Sequence, residues 1–224
     1  MSILDKMEAR ALYDNIATRY DRLLFGFRLV GIGREREALI NELGLKTGNT
    51  VIDLCCGTGK NFESILKVIG ASGSIIGVDL SRGMLSKARR KAERAGWSNV
   101  ELIEADVEAW DIPSDVDAVV STFSLEMVPQ YAQVIERTSA ALRPGGRLGL
   151  LGLKYPNRWP KWLITAGIWL TQRFGASADY ADFKPWEAAA EHFDIISFRQ
   201  LLAGAAYRCV AAQTSEKVRM PDGS

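Results

Sequence analysis

The segment with the clearest chemical potential is Val51-Ile-Asp-Leu-Cys-Cys-Gly-Thr-Gly-Lys-Asn61, an apolar run that gives way to a glycine turn. A buried strand followed by such a turn and a helix is where open α/β sheets receive nucleotides, because glycine lets the backbone come close to the ligand. Asp79 closes the next apolar run, Ile75-Ile-Gly-Val-Asp79, twenty residues after Gly59. That is about the spacing at which a carboxylate accepts both ribose hydroxyls. Loop and acid together point to an adenosine-bearing cofactor. A dinucleotide fits poorly, since Phe62 stands three positions after Gly59, where a pyrophosphate site needs a small residue. Asp53, at the mouth of the loop, would repel phosphate and attract a cation. A ligand carrying an ammonium and a sulfonium but no phosphate, S-adenosylmethionine, matches that charge pattern.

Positioning these groups requires a sheet. Short β-branched runs at Thr50–Leu54, Ser74–Asp79, Asn99–Glu104, Val116–Ser121 and Arg147–Leu153 alternate with helical stretches, which predicts a parallel sheet with helices on both faces. Ser81 is an expected N-cap for a helix that runs to Ala95 and stops at Gly96. Tyr131, Val134, Ile135, Thr138 and Leu142 fall on one helix face, and Arg143-Pro-Gly-Gly146 breaks that helix and turns into the next strand. Asp194–Gln200 and Ala205–Gln213 are separated by a connection short enough for an antiparallel hairpin. Amphipathic stretches over Met7–Leu24 and Arg34–Leu43 precede the first strand. The expected fold is therefore α/β, a Rossmann-like doubly wound, mostly parallel seven-stranded sheet with an antiparallel C-terminal hairpin strand and an N-terminal helical lid. The lid takes residues 1–48 and the main domain 49–214, with a variable substrate-side segment at 154–190 and a flexible polar tail at 215–224.

Composition removes several classes. The 224 residues carry 28 Lys plus Arg against 27 Asp plus Glu, a net charge of +1, with 3 Cys and one His. A near-neutral balance gives no global reason to expect nucleic acid as a partner. Adjacent Cys55 and Cys56 with a remote Cys209 form neither a disulfide framework nor a metal-ligand spacing, so no metal is expected. A Ser-His-Asp hydrolase would need His192 as its base. The opening residues lack the apolar core of a secretion signal and no apolar run reaches the ~20 residues of a membrane span, so a cytoplasmic location is expected.

Within Val51–Leu153 the chain resembles the class I S-adenosylmethionine-dependent methyltransferases. Ile52-Asp-Leu-Cys-Cys-Gly-Thr-Gly59 is similar to that family's first motif, Gly77-Val-Asp-Leu-Ser81 to its acidic second-strand motif, Ile103-Glu-Ala-Asp-Val-Glu-Ala-Trp110 to its adenine-contacting motif, and Leu142-Arg-Pro-Gly-Gly146 to its fifth-strand turn. The resemblance implies that Asp53, Gly57 and Gly59 face the methionine part of the cofactor, Asp79 the ribose, and Asp106 and Val107 the adenine, with Leu80 also among the cofactor contacts. Phe123 and Ser124 would line the methyl-transfer side. Cys55 replaces a more usual glycine, which the backbone tolerates if that residue keeps negative φ. In Tyr13-Asp-Asn-Ile-Ala-Thr-Arg-Tyr-Asp21 the Tyr-Asp pair repeats after seven residues, so Tyr13 and Tyr20 share a helix face that resembles the lid of small-molecule methyltransferases, with Tyr20 among the expected cofactor contacts. The lead, loop and turn together resemble the quinone-biosynthesis and bacterial phospholipid N-methyltransferases. The glutamate expected after the turn in the quinone enzymes is absent from Arg147–Lys154.

Substrate signals lie in the flanks. Trp159, Trp162 and Trp169 punctuate a segment that is uncharged from Trp162 to Gln172, suited to an apolar lid, a core helix or, across 158–173, peripheral membrane contact. Arg82, Lys87, Arg89, Arg90, Lys91 and Arg94 give the second sheet helix a basic face, ordinarily a solvated one, with a weak attraction to anionic headgroups as the alternative. Candidate general bases are Glu126, His192, Tyr13 and Tyr20; a neutral amine acceptor needs none. The expected activity is methyl transfer to a small, lipophilic acceptor, a phospholipid amine headgroup or a quinone-like ring. Soluble amine methylation and non-enzymatic binding of an adenosine ligand remain alternatives. An oxidoreductase rests only on the Tyr180-Ala-Asp-Phe-Lys184 spacing, without the TGxxxGxG loop that should accompany it.

Overall fold

Strand Thr50–Leu54 (β1) is the centre about which the chain folds in this computed structural model, which describes residues 6–23, 31–156, 159–160, 162–165 and 182–213, and the side chains of all of these except 18–23. Two helices, α1 (Lys6–Leu23) and α2 (Ile32–Glu42), precede β1, and α3 (Phe62–Ile69), β2 (Ser74–Asp79), α4 (Arg82–Ala95), β3 (Val100–Glu104) and β4 (Val116–Thr122) follow. The chain continues through α5 (Tyr131–Ala141), β5 (Leu142–Leu153), α6 (Pro185–His192), β6 (Asp194–Leu201) and β7 (Ala206–Ala212). The sheet order is β3-β2-β1-β4-β5-β7-β6, with five parallel strands and β7 antiparallel to both β5 and β6. This is the expected doubly wound sheet with its antiparallel hairpin.

Each face of the sheet has its own core. Leu39 and Ile40 of α2, Phe62, Ile65 and Ile69 of α3, and Leu85 and Ala88 of α4 pack on one face. Val134 and Ile135 of α5 and Ala188 and Ala189 of α6 pack on the other. The chain therefore changes face between β3 and β4, and the sheet order reverses between β1 and β4. Ligands of open α/β sheets bind in the crevice opened by such a reversal, beyond the carboxyl ends of the strands.

Local chemistry explains the element ends. Ser81 Oγ accepts the Met84 amide at 3.1 Å and caps α4, and Gly96 closes the helix at φ 69°. Asn99 lies outside β3 because its side chain donates to the carbonyls of Gly70 and Gly73 at 3.0 and 2.7 Å. Arg143-Pro-Gly-Gly146 is not a turn ahead of the fifth strand. It bulges out of β5, between Leu142, which pairs with Val116, and Arg147, which pairs with Ala118. Leu142 thus belongs to the strand, while Val134, Ile135 and Thr138 carry the buried face of α5.

The two leading helices do not form one lid. Leu39, Ile40 and Leu43 at the end of α2 are almost wholly buried on the sheet, and buried Arg208 of β7 pairs with Glu35 and Glu42 of α2 at 2.8 Å each. Helix α2 is thus packed onto the sheet and paired with β7. Helix α1 lies over α4 instead, where Asp14 Oδ1 accepts Ser81 Oγ–H at 2.6 Å and the Gly83 amide at 2.7 Å. No helix among the described residues is long and apolar enough to cross a membrane.

Candidate active site

A cavity of about 150 Å³ lies at the carboxyl ends of β1 and β4. The turn after β1 forms its floor. Gly57 and Gly59 adopt φ of 56° and 69°, in the left-handed region that favours glycine. A Cβ on Gly59 would stand 2.5 Å from the ring of fully buried Phe62, so the residue that excludes a pyrophosphate also dictates glycine above it. At Gly57 a Cβ would meet nothing within 4 Å, and this residue faces open space at the cavity.

Asp79, at the end of β2, is tied to this turn. Its Oδ2 accepts the Gly57 amide at 2.7 Å and its Oδ1 accepts the Ser81 amide at 2.9 Å. Burial pushes its pKa up to about 6, against the pull of those two amides. Each oxygen keeps a second lone pair for a ligand hydroxyl. Asp79, Leu80, Asp106, Val107, Gly57, Phe123, Ser124 and Tyr13 all reach the cavity wall, so eight positions expected from the sequence converge there.

Four others do not. Asp53 is completely buried behind the turn, its two oxygens accepting the Asn61 side-chain amide at 3.0 and 3.1 Å. Burial, opposed by that hydrogen bond, raises its pKa to about 7. It communicates with the cavity through Asn61, whose Oδ1 accepts from Arg36 at 2.9 Å. Gly59 shapes the turn from below without reaching the wall. Glu126 is buried against β5, where its Oε1 accepts the Leu153 amide and a Cβ on Gly152 would lie 2.5 Å away; burial raises its pKa to about 7. His192 sits in the last turn of α6, away from the cavity.

Cys55 departs from expectation. It adopts φ 53°, not negative φ, and Phe123 at the end of the adjacent β4 adopts φ 58°. Both line the cavity. Non-glycine residues held in this region cost on the order of 1–3 kcal/mol each and tend to gather at ligand sites.

Several lining residues carry no motif. Arg36 of α2 donates to Thr122 Oγ1 as well as to Asn61 and lies 5.3 Å from the centroid of the Phe123 ring. Lys6, at the start of α1, bridges Asp106 and Glu108 at 2.6 Å each, and hydrogen bonds to these carboxylates raise its pKa. Arg10 pairs with Glu104, and the Tyr13 hydroxyl meets Met127 Sδ at 3.1 Å. Helix α1 is thereby fastened across the mouth. Only the amphipathic character of these helices was visible in the sequence, with no sign of which distant strand their cations would reach. Tyr20 lies in α1, but its side chain is outside the described residues, as are Trp169, Tyr180 and the tail. Trp159 donates to the Ala203 carbonyl at 3.0 Å, and Trp162 is 71% exposed. Among the described residues no three His, Cys, Asp or Glu side chains gather as a metal site.

The donor set fits S-adenosylmethionine. One side offers carboxylates at Asp79 and Asp106 beside apolar Leu80, Met84 and Val107, as a ribose and adenine require, and the loop side offers cations at Arg36 and Lys60. Phe123, Met127, Val128 and Pro129 form an apolar wall opposite.

Comparison with known proteins agrees. A family model described as a methyltransferase domain matches residues 51–146. Demethylmenaquinone methyltransferase of Staphylococcus saprophyticus is 31% identical over 156 residues, which cover 67% of this chain and 64% of that protein. The chain thus spans slightly less than two thirds of the length of this relative. A SAM-dependent methyltransferase structure from Aquifex aeolicus superposes with a TM-score of 0.60 at 19% identity, covering 80% of this chain and 89% of that one. Geranyl diphosphate C-methyltransferase from Streptomyces coelicolor, in a complex that includes S-adenosyl-L-homocysteine, gives 0.65 at 15% identity, covering 81% and 76%.

Proposed function

We infer from the methyltransferase-domain match over residues 51–146 and the 31% identity to a demethylmenaquinone methyltransferase that this chain is a class I S-adenosylmethionine-dependent methyltransferase, transferring a methyl group to a small, lipophilic acceptor. The observation that carries this reading is the junction in one cavity of the Asp79–Gly57 turn with the apolar wall of Phe123, Met127, Val128 and Pro129. When bound, S-adenosylmethionine supplies a methyl group already activated on a sulfonium. Asp79 would hold the ribose hydroxyls, Asp106 and Val107 the adenine, and Arg36 and Lys60 the carboxylate end. What remains for the protein is to align the acceptor and exclude water, a contribution that orientation alone makes large. Helix α1, fastened by Lys6 and Tyr13, covers the mouth for this purpose.

Two acceptor chemistries are supported by different observations. A quinone-like ring follows the name carried by the relative at 31% identity. An amine headgroup follows from the wall itself: the lining carboxylates are engaged, Asp106 and Glu108 with Lys6 and Asp79 with two backbone amides, while Glu126 is buried against β5 and accepts the Leu153 amide. A neutral amine needs no base, whereas a ring carbon or phenol does.

Incubation with methyl-labelled cofactor and a fractionated cell extract tests the proposal. Label should enter an organic-phase product; label confined to water-soluble amines overturns the lipophilic acceptor, and no transfer to any fraction overturns the enzyme. Calorimetry with S-adenosylhomocysteine addresses the site: Asp79→Ala should weaken binding at least ~10-fold through loss of a buried charged acceptor. Equal affinity of the variant would remove Asp79 from the site.

A further inference from the structure

Outside the cofactor cavity, α3 and α4 enclose an open groove of about 930 Å³ that runs from Thr58 to Asn99. Five cations line it, Lys67 from α3 and Lys87, Arg90, Lys91 and Arg94 from α4, against the single carboxylate of Glu63. Glu63 is already occupied by Lys67 at 3.0 Å. Among the described residues Lys87, Arg90 and Arg94 form no ion pair. In a chain whose whole net charge is +1, this is a concentrated local excess. The four α4 cations occupy positions i, i+3, i+4 and i+7, one face of the helix, while Met84, Leu85, Ala88 and Ala92 are buried on the other. Trp97, half-buried, closes the groove with Lys91 Nζ 5.7 Å from its ring centroid.

We propose that this face of α4 docks the protein on an anionic lipid bilayer, with the basic side chains over the headgroups and Trp97 at the interface. The inference rests on the lipophilic acceptor proposed above, since such a molecule resides in the bilayer. Helical cations with an indole at their end suit a headgroup layer, where Trp is a preferred interfacial residue. A single-stranded nucleic acid would require a succession of aromatic platforms for its bases, and the groove has one, already under Lys91. Position also supports docking. Thr58 borders both groove and cavity, and Lys91 Nζ donates to the Gly59 carbonyl at 2.7 Å, so the docked face adjoins the glycine turn.

The test is co-sedimentation of the full chain with vesicles of phosphatidylcholine alone or mixed with phosphatidylglycerol. Partition onto the mixed vesicles only, abolished by high salt, is expected. Each cation removed should weaken partition about fivefold, so the combined Lys87→Gln, Arg90→Gln and Arg94→Gln variant should lose roughly 100-fold. S-adenosylhomocysteine affinity should be unchanged in that variant, which shows it folded. Equal partition of wild type and variant, equal binding to neutral vesicles, or salt-dependent binding of a single-stranded RNA oligonucleotide without vesicle binding each overturns the proposal. Vesicle binding by a wild-type protein that fails to bind S-adenosylhomocysteine would sustain the docking face while removing the methyltransferase reading.

Discussion

The glycine turn after β1 and the groove outside α4 meet at Thr58, yet they treat charge in opposite ways. At the turn, Asp53 and Asp79 are buried and each is answered by a fixed donor, Asn61 for one and the Gly57 and Ser81 amides for the other. Along the groove five cations meet the single carboxylate of Glu63, and Arg90 and Arg94 stand in solvent. Burial makes an unanswered charge expensive, so the inner region must be built to fractions of an ångström. Water tolerates the outer one, whose effect is collective and salt-dependent. Substitutions in the turn should therefore act singly and strongly, and those near solvent weakly.

Gly59→Ala should show the largest effect. A positive φ of 69° and a Cβ 2.5 Å from Phe62 combine backbone strain with overpacking, together about 3 kcal/mol or more. Urea unfolding at an unchanged midpoint would mean that Phe62 gives way and that the turn is less tightly built than the contrast requires.

Glu126 extends the contrast to pH. Its folded pKa of about 7 lies above the ordinary carboxylate value of 4.5, so the folded state holds the proton more tightly than the unfolded chain. The stability it contributes is fully present below about pH 4.5 and is lost as pH rises through 7; Asp53 and Asp79 act with the same sign. Glu126→Gln keeps an acceptor for the Leu153 amide and removes the charge. It should raise stability at about pH 8 by on the order of 2–3 kcal/mol and change little near pH 4. Parallel melting profiles for the two proteins would show that Glu126 does not titrate there.

Lys6→Ala should be the mildest. The Lys6 side chain is half exposed, so its bridge to Asp106 and Glu108 is screened and contributes less than about 1 kcal/mol. The expected result is a small change in melting temperature with faster proteolysis in α1. A loss comparable to Gly59→Ala would place the mouth of the cavity with the buried region.

What could be read from sequence follows the same division. The glycine turn and Asp79 were legible because a strand end, a left-handed turn and an acid at fixed spacing are local properties. Asp53 was legible as a residue of that strand, but not in its direction: β1 is covered on both faces and nearly every position is buried, so alternation carries no signal. Arg36 was hidden by distance, since the helix bearing it meets Thr122 from 86 positions away. Cys55 was expected to avoid positive φ because local preference says so. The turn of which it forms the first residue overrides that preference.

The position of β7 has a consequence for the order of assembly. This strand is the last of the sheet in sequence, yet it lies between β5 and β6 and carries Arg208, which anchors Glu35 and Glu42 of α2. During vectorial synthesis the parallel strands and the glycine turn emerge early, but α2 gains its anchor only when residues 206–212 have left the ribosome. Arg36 rides on α2, so a nascent chain already able to pair β1 with β4 would still present an unfinished cofactor site. Binding competence would then arrive in one step, once β7 has emerged and paired.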